Sequence, residues 1–509
     1  MRGRGGTGRR RRLKIFCPYG RAGSSPAVRT IIVALALAAS GCERRPDVGA
    51  VVVSAVGDQP RLSASRITDR DLADRLLADS SAQGLVRFDA AGQIEPGVAE
   101  RWIVTDEGRT YIFRLREMAW ADGRPMRASE VVSILRRRLR ASTRNPLSPY
   151  LTAIDSIVEM TPQVIQIELS RPRPDLLKLF AQPDMAIVNP VRSTGTGPMR
   201  ITGQLGRVTR LTPVPDPNRA ADEQEAPTPE DHVLLIAERA SAGIARFVAR
   251  KSDLFAGGTV SEWPLLAAAG AAPANIRLDP AAGLFGLTFT RRDGFLASAE
   301  NRAALALAID RDALVRSFSA DWTPTQDLLP ATLDSASPPA RARWQDVPAA
   351  DRKAAAQERV AAWRAEGHDA PAIRIALPAG PGGTLLWARI AADLYAIGVR
   401  PVRAVPDGEA DMRLVDAVAP YDSARWYLDT ACGSCSEAAR AAIEAARTAP
   451  NLAERARAIA AADAAMAEGV AFIPLARPLR WALVAQRLRA WQPNERAWHP
   501  LNRLRRNTN

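Results

Sequence analysis

Between Gly84 and Val132 the chain reads GLVRFDAAGQIEPGVAERWIVTDEGRTYIFRLREMAWADGRPMRASEVV, and this stretch constrains the fold more than any other. Leu85, Val86 and Phe88 form a short apolar run. Asp89-Ala90-Ala91-Gly92 then supplies turn chemistry, because Gly92 tolerates positive φ. Trp102–Val104 and Tyr111–Leu115 are rich in β-branched and aromatic residues, and Asp106-Glu107-Gly108 lies between them, which predicts a hairpin. Tyr111, Phe113 and Leu115 alternate with Arg114 and Arg116, the pattern of a half-buried strand. Asp122-Gly123 marks the next turn, and Ser129-Glu130 opens a helix that runs through Val131, Val132, Ile134, Leu135 and Leu139.

This order of elements resembles the first-lobe signature of the family 5 extracellular solute-binding proteins. Pro96, Ala99, Glu100, Trp102, Gly108, Tyr111, Phe113, Leu115, Arg116, Trp120, Asp122, Gly123 and Val131 fill that family's pattern. Where the family caps the following helix with Thr, this chain has Arg127, which leaves Ser129 as the expected cap. A second match, Asn301–Leu314, has helical apolar spacing. Ile373–Leu377, a helix around Leu385–Ile397, and Gly398-Val399 form a β-α-β unit similar to the family's. Thr194–Met199 resembles its glycine-rich turn, and no GK[ST] follows to make a phosphate loop.

The resemblance implies an α/β, two-lobe periplasmic-binding-protein fold with mixed sheets, a hinge and an interlobe ligand cleft. It implies a carrier, not an enzyme, with no cofactor. The chain would act as a monomer that hands a peptide or peptide-like small molecule to ABC permease subunits and their ATPases. The first lobe is expected over 51–275, with a peptide-binder subdomain at about 85–190. The second lobe is expected over 276–469, and 470–509 returns to the first. A sensor or scaffold of the same fold that no longer transports is the alternative.

Charge and the N-terminal region point to export. Residues 1–41 carry nine Arg or Lys and no acid, and Ile31–Ala39 is apolar but too short to span a bilayer. Ala39-Ser40-Gly41-Cys42 follows, so 1–41 reads as a signal peptide and Cys42 as a lipidation site. Residues 42–50 would then form a tether from the lipid anchor, placing the protein in the periplasm or cell envelope. No Met occurs between Met1 and Met118, and Met1–Ala27 reads as a mis-assigned extension with the start at Val28. Subtracting the leader's nine cations from the net charge of +14 leaves +5, ordinary for this length. Arg136-Arg137-Arg138 then reads as a solvated helix face and not as a nucleic-acid surface.

Farther along, Ile157–Leu169 reads as two strands around Pro162, and Leu211–Asp231 as an extended loop. His232–Ala237 is a strand and Ser241–Arg250 a helix. Asp351–Gly367, Ser436–Ala449 and Asn451–Glu468 are Ala-rich helices. Phe472–Leu475 begins the return towards the first lobe.

The resemblance also implies where a ligand would sit. In the family an Asp of the second lobe pairs with a peptide's amino group, followed at once by Tyr and preceded by Trp. Asp411 and Tyr421 keep that spacing, but Ala417 stands at the Trp position and Pro420 at the Asp position. A buried ammonium without a carboxylate is costly. Asp422, on the same loop, is therefore the first replacement candidate and Asp416 the second. Tyr421, Trp426 and, with less weight, Trp322 are candidate pocket walls. Cys432-Gly433-Ser434-Cys435 precedes a helix, a geometry that lowers thiol pKa in thioredoxin-like oxidoreductases. Cys432 and Cys435 are expected to form a structural disulfide, with thiol–disulfide chemistry as the rival reading. His232, His368 and His499 are scattered, and no metal site is expected.

Overall fold

The computed structural model describes residues 48–64, 70–121, 123–140, 145–173, 175–215 and 226–505. The expected leader, Cys42 and most of the tether lie outside these residues, as do Asp122 and residues 216–225 of the expected loop. Among the described residues no helix is long and apolar enough to cross a membrane.

Two mixed sheets organise the chain. The larger has seven strands in the order Ile276–Asp279, Arg480–Val484, Leu254–Gly258, Val51–Val56, Val233–Glu238, Val208–Pro213, Met199–Leu205. Its central strand, VVVSAV, is apolar almost throughout, as a strand covered on both faces must be. It runs parallel to both neighbours, and the buried Asp253 carboxylate accepts from Val52 N at 2.8 Å to hold the register. The five-stranded sheet has the order Arg400–Ala404, Ala372–Ala376, Met412–Val418, Gly283–Phe289, Phe472–Ala476. The architecture is the two-lobe α/β fold of periplasmic binding proteins.

The chain passes from the large sheet to the five-stranded one between Asp279 and Gly283, and returns between Ala476 and Arg480. The strand Ile276–Asp279 therefore pairs in the large sheet and Phe472–Ala476 in the other. A short apolar strand looks the same whichever sheet it joins.

The segment 84–132 is built mostly from local contacts. Ala99–Thr105 and Thr110–Leu115 pair antiparallel, with Trp102 opposite Phe113. Asp106, Glu107 and Gly108 all take positive φ in the turn. Ile154–Thr161 and Val164–Leu169 complete a four-stranded sheet. Trp120 is buried, and its Nε1 donates to Glu130 Oε2 at 3.0 Å. That oxygen also accepts from Arg127 N at 3.2 Å, so the helix Ala128–Leu139 starts after Arg127 and Ser129 is not its cap. Glu130 sits three residues past the cap, where a carboxylate reaches back to the unsatisfied N–H.

The expected continuous helix over 301–314 is two helices, Ala299–Ala308 and Arg311–Arg316. Asp310 breaks it, because its side chain accepts from Ala313 N at 2.9 Å and caps the second helix. Arg311 is almost fully buried, donates from Nε to Pro474 O at 2.7 Å and stacks on Trp344. Burial pulls its guanidinium down to about 9. The family-like motif thus serves to fasten helix to sheet.

Candidate functional site

A cavity of about 280 Å³ lies where the two sheets exchange strands. The helix Leu72–Ser81 forms one wall. Asp71 caps it by accepting from Asp74 N at 2.9 Å, and helical spacing puts Leu72, Arg75 and Leu76 on one face of it. The large sheet supplies Leu254, Gly258 and Trp481. A Cβ at Gly258 would lie 2.2 Å from the Trp481 ring, so glycine is what lets the indole lie against the strand. Trp481 Nε1 donates to Thr259 O at 2.8 Å and holds it there.

The opposite wall is Val418, Ala419 and Pro420, the end of the Met412–Val418 strand and the loop after it. The C-terminal segment closes the cavity with Arg496, Trp498 and His499. Asn494 builds that segment: its Oδ1 accepts from Arg496 N at 3.0 Å and Trp498 N at 3.2 Å, as an Asx turn does. Asp279 ties it to the crossing, accepting from Asn494 N at 3.0 Å and lying 3.0 Å from His499 Nε2.

The carboxylates named from sequence are already engaged. Asp416 Oδ1 accepts from Arg480 Nη1 at 2.7 Å, and its backbone oxygen from Nη2 at 3.1 Å. Burial pushes the Asp416 carboxyl up, with Arg480 opposing. Asp422 is ion-paired with both Lys178 and Arg496. Burial lowers both of these cations, Arg496 to about 10. Arg496 Nη1 also donates to Ala419 O at 2.9 Å, and Gln182 Nε2 to Pro420 O at 2.7 Å.

None of Asp416, Asp422, Tyr421, Trp426 and Trp322 lines this cavity. Tyr421 is buried against Tyr150, with ring centroids 5.4 Å apart, and burial raises its phenol. Trp426 packs edge-on to Tyr427 in the core. Trp322 is a core residue of the five-stranded sheet's side, wedged between Phe285 and Phe318, with Nε1 donating to Arg477 O at 2.8 Å. An indole at any of these positions looks the same in sequence whether it faces core or pocket. The loop that sequence reasoning singled out contributes Pro420 to the cavity wall. That reasoning missed Arg75, Arg480, Trp481, Arg496 and Trp498, for which the Asn494 turn is the one local signal.

Cys432 and Cys435 are joined as a disulfide between the helices Ala424–Ala431 and Glu437–Thr448. Cys435 is buried in the core and neither cysteine lines the cavity. The bridge is anchored to the end of Gly283–Phe289, where Gly433 N donates to Thr288 Oγ1 at 3.1 Å and Ser434 N to Phe289 O at 2.7 Å. Among the described residues no cluster of three His, Cys, Asp or Glu side chains could hold a metal ion.

Comparisons with known proteins converge on one family. The family model described as bacterial extracellular solute-binding proteins, family 5 Middle, matches residues 93–435. The chain is 41% identical over 70 residues to the probable deoxycholate-binding periplasmic protein YgiS of Escherichia coli K12, a match covering 14% of this chain and 13% of that protein. Among solved structures, Haemophilus influenzae OppA in complex with RPPGFSPFR superposes with a TM-score of 0.72 at 16% identity, covering 90% of this chain and 99% of that one. The murein tripeptide binding protein MppA of Escherichia coli gives 0.73 at 17% identity, covering 90% and 98%.

Proposed function

The chain belongs to family 5 of the bacterial extracellular solute-binding proteins, and from that premise we propose that it is the substrate-binding lipoprotein of an ABC importer. It captures a peptide or peptide-like small solute between two lobes and delivers it to the membrane permease. The first lobe comprises 48–279 and 480–505, and the second 283–476, with the hinge at the two crossings. Cys42 carries the lipid that holds the protein at the cell envelope.

The observation that carries this reading is the cavity at the strand exchange. Its walls come from the large sheet on one side and from the Val418–Pro420 loop of the other lobe. Rotation about the hinge would open and close such a site, and a ligand touching both walls would favour the closed form. Away from the cavity, polar contacts also join the turn Ser148–Tyr150 to the helix Ala424–Ala431: Arg425 Nη2 donates to Pro149 O at 2.9 Å, and Tyr150 Oη to Asp429 Oδ2 at 3.2 Å.

Thermal-shift screening of the mature protein with tri- to pentapeptides, sugars, opines and deoxycholate tests the reading. A stabilising solute is expected, and Ala419→Trp, which fills the cavity from the loop side, is expected to abolish its effect. Undiminished binding to the filled variant would remove this cavity from the function. Intact-mass analysis of the membrane fraction checks the anchor, and an unmodified Cys42 would exclude it.

A further inference from the structure

We propose that this cavity selects a small solute that carries a carboxylate on an apolar body and no free ammonium, with Arg75 as the anchor of the carboxylate. The inference rests on the reading of the cavity as the solute site and specifies the ligand's charge. The charged side chains lining the cavity are Arg75, Arg480, Arg496, Asp279 and the titratable His499. Asp279, the one carboxylate among them, is held by His499 and Asn494 N. The carboxylates behind the loop are held too, Asp416 by Arg480, and Asp422 by Lys178 and Arg496. An incoming ammonium would have to displace one of these cations and leave it buried without a partner, which is costly. Lys178 is notable because lysine occurs only at 14, 178, 251 and 353. Its ammonium sits on Asp422, two residues from the loop wall at Pro420.

Arg75 differs from the other two arginines. The Asp184 carboxylate is 3.7 Å from Arg75, beyond hydrogen-bonding reach, and Arg75 Nη2 makes a long 3.3 Å bond to Gln182 Oε1. Its Nε is buried with no hydrogen-bond partner. Asp184 is also shared electrostatically with Arg70 and Arg138, so it does not neutralise Arg75 alone. The guanidinium lies 5.4 Å from the centroid of the Trp498 ring, which orients its planar fork. A fork held this way is suited to take a carboxylate through two parallel N–H···O bonds. Around it the lining is apolar, with Leu76, Phe88, Trp481 and Trp498. The volume, about 280 Å³, lies at the small end of ligand pockets.

The test uses four forms of one dipeptide, titrated calorimetrically into the intact mature protein: acetyl-Leu-Leu, Leu-Leu-amide, Leu-Leu, and acetyl-Leu-Leu-amide. Acetyl-Leu-Leu, with a carboxylate and no ammonium, is expected to bind at least about tenfold tighter than Leu-Leu-amide, as a charge-assisted pair requires. Arg75→Gln is expected to lower acetyl-Leu-Leu to the affinity of acetyl-Leu-Leu-amide, and Arg75→Lys to restore part of the difference. Equal near-ultraviolet circular dichroism and melting temperature establish that the variants fold. Tighter binding of Leu-Leu-amide, no binding of any of the four, or an Arg75→Gln variant with unchanged affinity for acetyl-Leu-Leu would each overturn the inference. The filled variant Ala419→Trp separates the two claims. If it abolishes binding of Leu-Leu-amide while Arg75→Gln does nothing, the cavity is the site and the charge assignment is wrong. If it leaves every ligand bound, the cavity reading itself fails.

Discussion

Segment 84–132 and segment 411–435 are held together in different ways. In the first, most partners are near in sequence: Trp102 faces Phe113 across one hairpin, and Trp120 reaches Glu130 ten residues on. In the second, Asp416 meets Arg480, 64 residues away, and Asp422 meets Lys178, 244 residues away. The first segment is scaffold with mainly local partners, completed by the strands Ile154–Thr161 and Val164–Leu169. The second is a junction whose charges are balanced by residues from elsewhere in the chain. Specificity can change at such a junction without disturbing the scaffold, since only distant partners need to change.

The contrast can be broken most decisively at Trp120. Trp120→Ala should cost about 3–5 kcal/mol through the void it leaves, while the affinity per folded molecule for any solute found should be unchanged. Urea denaturation with a parallel titration checks both, and a weakened affinity would show that the scaffold is not separable from the site. At the junction, Asp416→Asn removes the partner of Arg480, whose side chain is 16% exposed. A loss of roughly 3 kcal/mol is expected, near the lower end for a broken buried pair, together with weakened binding.

A pH series sharpens the comparison. Burial pushes the Asp79 carboxyl, on the wall helix, up to about 6, with Arg87 opposing. Asp463, on the helix Leu452–Glu468, is raised to about 6 as well, again chiefly by burial. A carboxyl whose folded pKa lies above its unfolded value favours folding while it stays protonated. That contribution is full below about pH 4 and is lost as pH rises through 6. Asp79→Asn should therefore raise the melting temperature at pH 8 by an amount corresponding to about 3 kcal/mol, with little gain at pH 4. An equal gain at both pH values would refute the titration.

Smaller effects are expected elsewhere in the junction. Opening Cys432–Cys435 with Cys432→Ser should cost about 2 kcal/mol or less, since the closed loop is short. Solute affinity should not change, and insulin reduction should be absent from the wild type. Asp422→Asn should cost about 1 kcal/mol, because the carboxylate is a third exposed.

By itself the sequence determined the elements whose causes are local. Turn residues at 106–108, alternation from Tyr111 to Leu115, and helical spacing after Glu130 each act within a few residues, so they are readable one window at a time. Tertiary structure alone decided which sheet Ile276–Asp279 and Phe472–Ala476 join, that Trp322 and Trp426 face core, and that Asp416 and Asp422 are already paired. It also brought Arg75, Trp481, Arg496 and Trp498 around one cavity. The physical reason is range. Hydrogen-bonded turns and periodic faces are set by neighbours along the chain, whereas burial and ion pairing depend on which distant segments pack together.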